Sequence, residues 1–287
     1  MLWFIYGFLV AFLQSLHDVL VKRSLKRLDA ITLAWAVGLF SVIFLLPLLF
    51  FIPVPDLNTA FWTALFLGCT LNVLAIIYFM KALKYSDLSL AVPMLAFTPL
   101  FLVVTSNFIN KELPSLLGLF GIMLVVLGAY VMNVKEMRMG ILSPFKALFD
   151  NKGTRLMFLV AFIWSFTAAI DKVGVINSSP AFWSISISVF IFGLLSVLAA
   201  ISKKPVIRET KSHFWVFLLI GLVIALLWLL QMNAITLTLV SYVIAIKRVS
   251  IVFGVIFGYL IFKEKNIRER LSGAAIMLAG AAVILVS

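Results

Sequence analysis

Apolar residues fill this chain in long runs, and polar residues gather in the short gaps between them. Ten runs stand out, at about 2–21, 30–52, 59–80, 88–110, 114–134, 155–173, 181–201, 213–236, 239–262 and 268–286. Each is near the roughly 20 residues that a helix needs to cross a bilayer. The pattern therefore predicts an all-α membrane protein of ten transmembrane helices. Pro53, Pro55, Pro114, Pro180 and Pro205 fall at or near the ends of runs, where proline punctuates helices. Pro47, Pro93 and Pro99 lie inside runs and predict kinks, with neighbouring helices satisfying the freed carbonyls. The longest gap, 135–154, has room for a short amphipathic helix on the membrane surface.

The halves on either side of that gap are related. Phe8 to Phe12 recurs as Phe158 to Phe162, and at the same offset Ser15 meets Ser165 and Lys22 meets Lys172. Further on, at an offset of 152, Ala82 meets Ala234, Lys111-Glu112 meets Lys263-Glu264, Gly121 meets Gly273, and Gly128-Ala129 meets Gly280-Ala281. Shared Leu or Phe is expected of any two apolar chains, but matched Lys-Glu and Gly positions in one register indicate duplication. The reading is a first five-helix repeat at 1–134, a cytoplasmic linker at 135–154 and a second repeat at 155–287. An odd number of helices per repeat inverts the second copy in the membrane, an arrangement common in secondary transporters.

Composition fits this picture: 64% of the 287 residues are hydrophobic and 12% are charged. A soluble domain averages about 45–50% apolar and about 25% charged. The net charge of +12 invites a nucleic-acid partner. The basic residues are confined to short gaps, however, so the positive-inside rule accounts for them and the expectation is no nucleic acid. Gaps after odd-numbered segments hold 19 Lys and Arg, and those after even-numbered ones hold only Lys111 and Lys172. That bias places the odd gaps in the cytoplasm and both termini outside a plasma (inner) membrane. Leu2 to Val21 is read as a membrane segment, not a signal peptide, since no basic residue precedes it and no small-residue cleavage site follows. Cys69 is the single cysteine, so no disulfide framework or cysteine metal site is expected. No phosphate-cradling glycine loop, zinc motif or nucleophile elbow is present. The expectation is no enzyme, no cofactor and no metal.

Two cations break the apolar pattern. Lys247 and Arg248 sit side by side within the ninth segment. Each costs at least about 2.5–3.5 kcal/mol at mid-membrane, and about eight residues, or ~12 Å of helix, separate them from the nearer end. Such charges belong in a polar cavity or beside a buried acid. Arg can fork two hydrogen bonds onto a carboxylate or phosphate, whereas Lys supplies a point charge. The competing reading pairs them structurally with Asp18 or Asp171. Two neighbours lie about 100° apart on a helix, so one cavity sees both only from its edge. The amides Gln14, Asn72, Gln231 and Asn233 lie inside apolar runs, able to orient a substrate or to join helices. Trp35, Trp164, Trp183 and Trp228 are candidates to line a cavity. Trp3, Trp62 and Trp215 are better placed as interfacial anchors. His17 and Asp18 are candidates for proton or ion coupling, against an interfacial role or pairing with Lys22. Asp171-Lys172 reads as a local pair at a helix boundary. Glu112 and Glu264 read as symmetry-related boundary residues, and Gly254-x-x-x-Gly258 as a point of close helix approach.

Ten helices, a five-helix duplication and local patterns together resemble the drug/metabolite transporter superfamily in its EamA-type branch. The stretches are Lys81 to Pro93, Phe97-Thr98-Pro99, Lys111-Glu112, Gly118 to Tyr130, Ala234 to Lys265 and Gly273 to Val286. The resemblance implies a carrier with a central cavity lined by helices 1–4 and 6–9, and helices 5 and 10 as outer supports. Ile246-Lys247-Arg248-Val249 is similar to the phosphate-gripping pair of the sugar-phosphate translocators. Those proteins add a lysine where this chain has Leu95, so part of that clamp is missing. The expected function is secondary transport of a small organic metabolite, anionic or amphoteric, by alternating access. Alternatives are proton-coupled export of cationic drugs and a non-transporting membrane scaffold. The expected partners are the small-molecule substrate and the lipid bilayer, with a second copy of the chain as a further candidate.

Overall fold

The computed structural model describes residues 1–85, 92–134, 151–262 and 267–287. Among these, all regular structure is helical: α1 (Leu2–Leu25), α2 (Ala30–Leu45), α3 (Thr59–Tyr85), α4 (Thr98–Asn110), α5 (Leu116–Val134), α6 (Lys152–Ile176), α7 (Pro180–Ile201), α8 (Phe214–Leu237), α9 (Val240–Lys247), α10 (Ser250–Phe262) and α11 (Ile267–Val286). A seven-residue helix, Val206–Ser212, joins α7 to α8. Seven apolar stretches are long enough to cross a membrane: Leu2–Leu25, Ala30–Phe50, Thr59–Ala82, Lys152–Ile176, Pro180–Ile201, Phe214–Leu237 and Val240–Phe257. Three others, Met94–Asn110, Leu116–Met132 and Leu271–Val286, are apolar but shorter than a full span. The chain is a multi-pass integral membrane protein. Its periphery exposes large side chains such as Phe108, Leu116, Phe120 and Trp215, which suit lipid contact. The surface-helix reading falls on 135–150, and with Glu264 it lies outside the described residues; 151–154 of the expected linker form the cap and first turn of α6.

Helix ends follow local chemistry. Asp29 accepts a hydrogen bond from Ile31 N–H, and Asn151 from Gly153 and Thr154 N–H. Ser179 caps α7 through Phe182 N–H, with Pro180 in the first turn. The internal prolines change helix type. Leu46–Phe50, containing Pro47, continues α2 as a 3-10 turn, and Val92–Phe97 is a 3-10 helix that leads into α4 at Pro99. The ninth segment departs from the predicted single helix. It breaks at Arg248 with no proline or glycine present; Val249 N–H bonds Ile246 O and Ile251 N–H bonds Arg248 O, in the three-residue pattern of a tightened turn.

Packing comes in matched sets. Exchanging each helix with its counterpart in the other half turns α1–α8 into α3–α6, and α2–α8 into α3–α7. It also turns α4–α6 into the contact of α1 with α9 and α10, and it returns α2–α7 and α5–α11 to themselves. The α5–α11 contact shows this at single residues. A Cβ on Gly121 would lie 3.0 Å from Gly280 O, and one on Gly128 would lie 2.6 Å from Gly273 O. The reverse placements are as tight, at 2.8 Å for Gly280 and 2.6 Å for Gly273. Only glycine lets these backbones approach so closely. Gly121 and Gly280 face each other, as do Gly128 and Gly273, so the contact is reciprocal.

Candidate functional site

Between the two halves lies a cavity of about 190 Å³. Its walls come from α1 to α4 and α6 to α9, and no described residue of α5 or α11 lines it. Part of the wall is apolar, including Phe79, Met80, Trp164, Leu227 and Trp228. Polar and charged residues make up the rest.

Lys247 and Arg248 both line the cavity although they are adjacent on the helix. They reach different walls, so the edge-on restriction expected from a straight helix does not apply. Lys247 Nζ donates to Gln231 Oε1 on α8 at 2.8 Å. Arg248 Nη2 donates to Thr98 Oγ1 at the start of α4 at 2.9 Å, and that hydroxyl donates to Leu95 O at 2.7 Å. Arg248 is only 6% exposed, and its Nε is buried with no hydrogen-bond partner. Neither cation makes an ion pair among the described residues; the pairs present are His17–Asp18, Lys172–Glu112 and Lys204–Asp29. No direct ion pair joins Lys247 or Arg248 to Asp18 or Asp171 among the described residues, although both acids lie near enough to attract Lys247.

Acids occupy two other places on the wall. Asp18, with a side chain 34% exposed, accepts from Gln14 Nε2 at 2.8 Å and lies 3.2 Å from His17 Nδ1. Asp171 is 3% exposed and accepts from Trp183 Nε1 at 3.1 Å. The expected local pair of Asp171 with Lys172 does not form. Neighbouring positions on a helix point in different directions, and Lys172 turns instead to Glu112 and to Thr238 O at 2.9 Å. Asp171 faces the cavity.

Gln14, Asn72, Trp164, Gln231, Lys247, Arg248, His17 and Asp18 are thus brought together around one space. Asn233 is not among them: its side chain donates to Leu229 O of its own helix. Two residues along a helix is about 200° of turn, so Asn233 and Gln231 cannot share a wall. Trp228 lines the cavity, whereas Trp35 bonds Ser196 Oγ at 2.9 Å and Trp183 is fully buried behind Asp171. Sequence reasoning missed Thr98 and Ser188, both on the wall, the latter with no partner for its buried hydroxyl. Hydroxyls in apolar runs were the available signal, but most bond their own helix, as Ser184 and Ser196 do.

Contacts between the halves lie beside the Asp171 side of the cavity. Glu112, just past α4, forms an ion pair with Lys172 of α6, each side chain 12% exposed. The same carboxylate accepts from Ser106 Oγ at 3.0 Å and from Val240 N–H, in the first turn of α9, at 3.1 Å. An anion there complements the helix N-terminus. Nearby chain ends add Asn58 Nδ2 to Asn177 Oδ1 at 2.7 Å, and the Phe61 ring packs edge-on to Trp183 at 5.5 Å. At the opposite end the bridging pair, Lys204–Asp29, is exposed. Asp171 is 3% exposed and the Asp18 side chain 34%, so the wall is more open at the Asp18 end. At Gly254, α10 comes close to α1: a Cβ there would lie 3.5 Å from Ser15 Oγ.

Comparison with known proteins adds three findings. No curated protein matches the chain. A solved structure described only as "Crystal structure of protein" has a TM-score of 0.71 at 16% identity, covering 99% of this chain and 98% of its own, a likeness of fold alone. The EamA-like transporter family matches residues 1–134 and 151–286. That match takes in both halves whose cavity has just been described, and the chain belongs to the EamA-like transporter family.

Proposed function

We propose that the protein is a secondary carrier that moves a small organic anion or amphoteric metabolite across the plasma membrane by alternating access. The carrying observation is that Lys247 and Arg248 stand on the wall of a central cavity with only neutral side-chain partners, Gln231 and Thr98. Cations held this way retain attraction for an incoming anion, because amide and hydroxyl dipoles do not cancel a charge. A scaffold would pair both cations directly with its own acids, and the lack of a direct ion pair among the described residues favours the carrier reading. Where the translocator clamp has a further lysine, Leu95 supplies no charge, so the positive end consists of two cations. Uptake into proteoliposomes by variants at these two positions tests the function.

The carrier is read as ten spans in two inverted repeats, 1–134 and 155–287, with the short helices α4, α5 and α11 spanning together with their flanking turns. Three features support this: the matched contacts, the reciprocal glycines, and cavity positions that recur between halves. At an offset of 150, Gln14 corresponds to Trp164, His17 to Thr167, Val21 to Asp171 and Gly38 to Ser188; at 152, Asn72 corresponds to Ile224 and Phe79 to Gln231. Such a site at the repeat interface can be offered to either side as the halves rock.

The charge bias orients the Asp18 end toward the cytoplasm and the Glu112 end outward, with both termini outside. Single cysteines at Asn151 and Ser287 in a Cys69→Ala background measure this in intact cells. An impermeant maleimide should label position 287 and spare 151. Labelling of 151 with 287 protected would reverse the orientation.

A further inference from the structure

We infer that the corner between α7 and α8 docks the headgroup of an anionic phospholipid, with Lys203, Arg208 and Lys211 holding its phosphate and with Ile207 and Trp215 entering the apolar layer beside it. The corner is separate from the central cavity and shares none of its lining residues.

The segment 203–215 joins two membrane-long apolar helices, Pro180–Ile201 and Phe214–Leu237, so it lies where the bilayer begins. Lys203 follows α7 in the left-handed conformation, with φ 51°. Glycine is the cheapest occupant of that conformation, so the backbone gives no reason for a lysine there. The short helix Val206–Ser212 packs on α2 and buries Thr210. Its other side is left open: Ile207 is 64% exposed, and Arg208 and Lys211, one turn apart, are exposed with it. In the first turn of α8, Trp215 is 77% exposed.

Charge and apolar surface together name the occupant. Lys204 is taken by Asp29. Lys203, Arg208 and Lys211 make no ion pair among the described residues, and Glu209 is the one acid in the segment. A water-soluble anion would leave Ile207 and Trp215 bare, and a neutral lipid would leave the cations unmatched. The headgroup layer of an anionic leaflet satisfies both. Phosphate oxygens accept from the guanidinium fork and the ammonium groups, and tryptophan favours the boundary between headgroups and acyl chains. Basic residues beside exposed apolar ones are the pattern of a helix lying in that plane. A zwitterionic headgroup offers the same phosphate but brings its own ammonium, which these cations repel, so the corner selects lipids of net negative charge.

The test is native mass spectrometry of the purified full-length protein with an equal mixture of phosphatidylglycerol and phosphatidylcholine of the same acyl chains. Wild type should retain phosphatidylglycerol in preference. A basic residue near an anionic leaflet is worth about a five-fold gain in binding, so Arg208→Gln with Lys211→Gln should lower retained phosphatidylglycerol by more than about ten-fold and leave phosphatidylcholine unchanged. Removing two exposed cations at the start of α6, by Lys152→Gln with Arg155→Gln, should keep the preference intact. Brominated phosphatidylglycerol should quench Trp215, read as the quenching lost in Trp215→Phe, and this serves if the Arg208 and Lys211 variant does not fold. Equal retention of the two lipids by wild type, a preference that survives Arg208→Gln with Lys211→Gln, an equal loss in the α6 variant, or no quenching at Trp215 overturns the proposal. So does binding of glycerol phosphate alone as tightly as the whole lipid, which would leave Ile207 and Trp215 without a role.

Discussion

Arg248→Gln is expected to weaken substrate binding by roughly 30-fold to several thousand-fold, the effect of removing one partner of a desolvated charge pair at about 2–5 kcal/mol. Arg248 is 6% exposed and its guanidinium bonds one hydroxyl, which leaves other donors for the anionic group this account assigns to it. Lys247→Gln removes a charge whose side-chain hydrogen-bond partner among the described residues is the Gln231 carbonyl, and it should act in the same direction. Arg248→Lys should recover part of the loss, because a point charge replaces a planar fork. The measurement is counterflow in proteoliposomes with a panel of labelled carboxylates, phosphate esters and amino acids, compared at equal amounts of monodisperse protein. Near-normal counterflow by both Gln variants would contradict the site. So would loss of folding with transport intact in the remaining folded fraction.

The second large effect is expected at the Glu112 end. Glu112 joins three elements through Lys172, Ser106 and Val240 N–H. Glu112→Ala leaves Lys172 with only Thr238 O and uncaps the start of α9. Breaking a well-buried pair costs about 3–5 kcal/mol, and the cost falls on the state in which this end is closed. A shift of even 2 kcal/mol changes the ratio of two states by about 30-fold. The population open at the Glu112 end should rise accordingly, seen as faster labelling of a cavity cysteine from that side. Exchanging the pair, Glu112→Lys with Lys172→Glu, restores the attraction but not the Val240 N–H bond, and should return the rate only partway. An unchanged labelling rate in Glu112→Ala would show that the ion pair does not hold the gate.

Much of this architecture is legible in the sequence because lipid enforces it. Apolar runs, boundary prolines and the glycine spacing at 121, 128, 273 and 280 reflect demands that act along one helix or between two, so their pattern survives in one dimension. Lys247 and Arg248 were conspicuous because a cation in an apolar run has few places to go. Asp171 was misread for a local reason. Its neighbour Lys172 has opposite charge, and adjacency in sequence suggested a pair that helix geometry forbids. The break after Lys247 carries no proline or glycine and arises from tertiary packing, with Arg248 drawn to Thr98. Asn233 was grouped with Gln231 by chemistry, although they point to opposite sides of α8. These details depend on what lies across the bundle, about which periodicity is silent.

The central claim is that the cavity is a transport site reached in turn from both faces of the membrane. Ser188 offers a direct probe, since it lines the cavity and its hydroxyl has no partner, so Ser188→Cys in a Cys69→Ala background should perturb little. The measurement is the rate of labelling by an impermeant maleimide, from outside in right-side-out vesicles and from inside in inverted ones. The account predicts labelling from both faces, faster from the Asp18 end in keeping with the state described, and slowed from both by a saturating transported substrate. Labelling from one face only, or from neither, would contradict it.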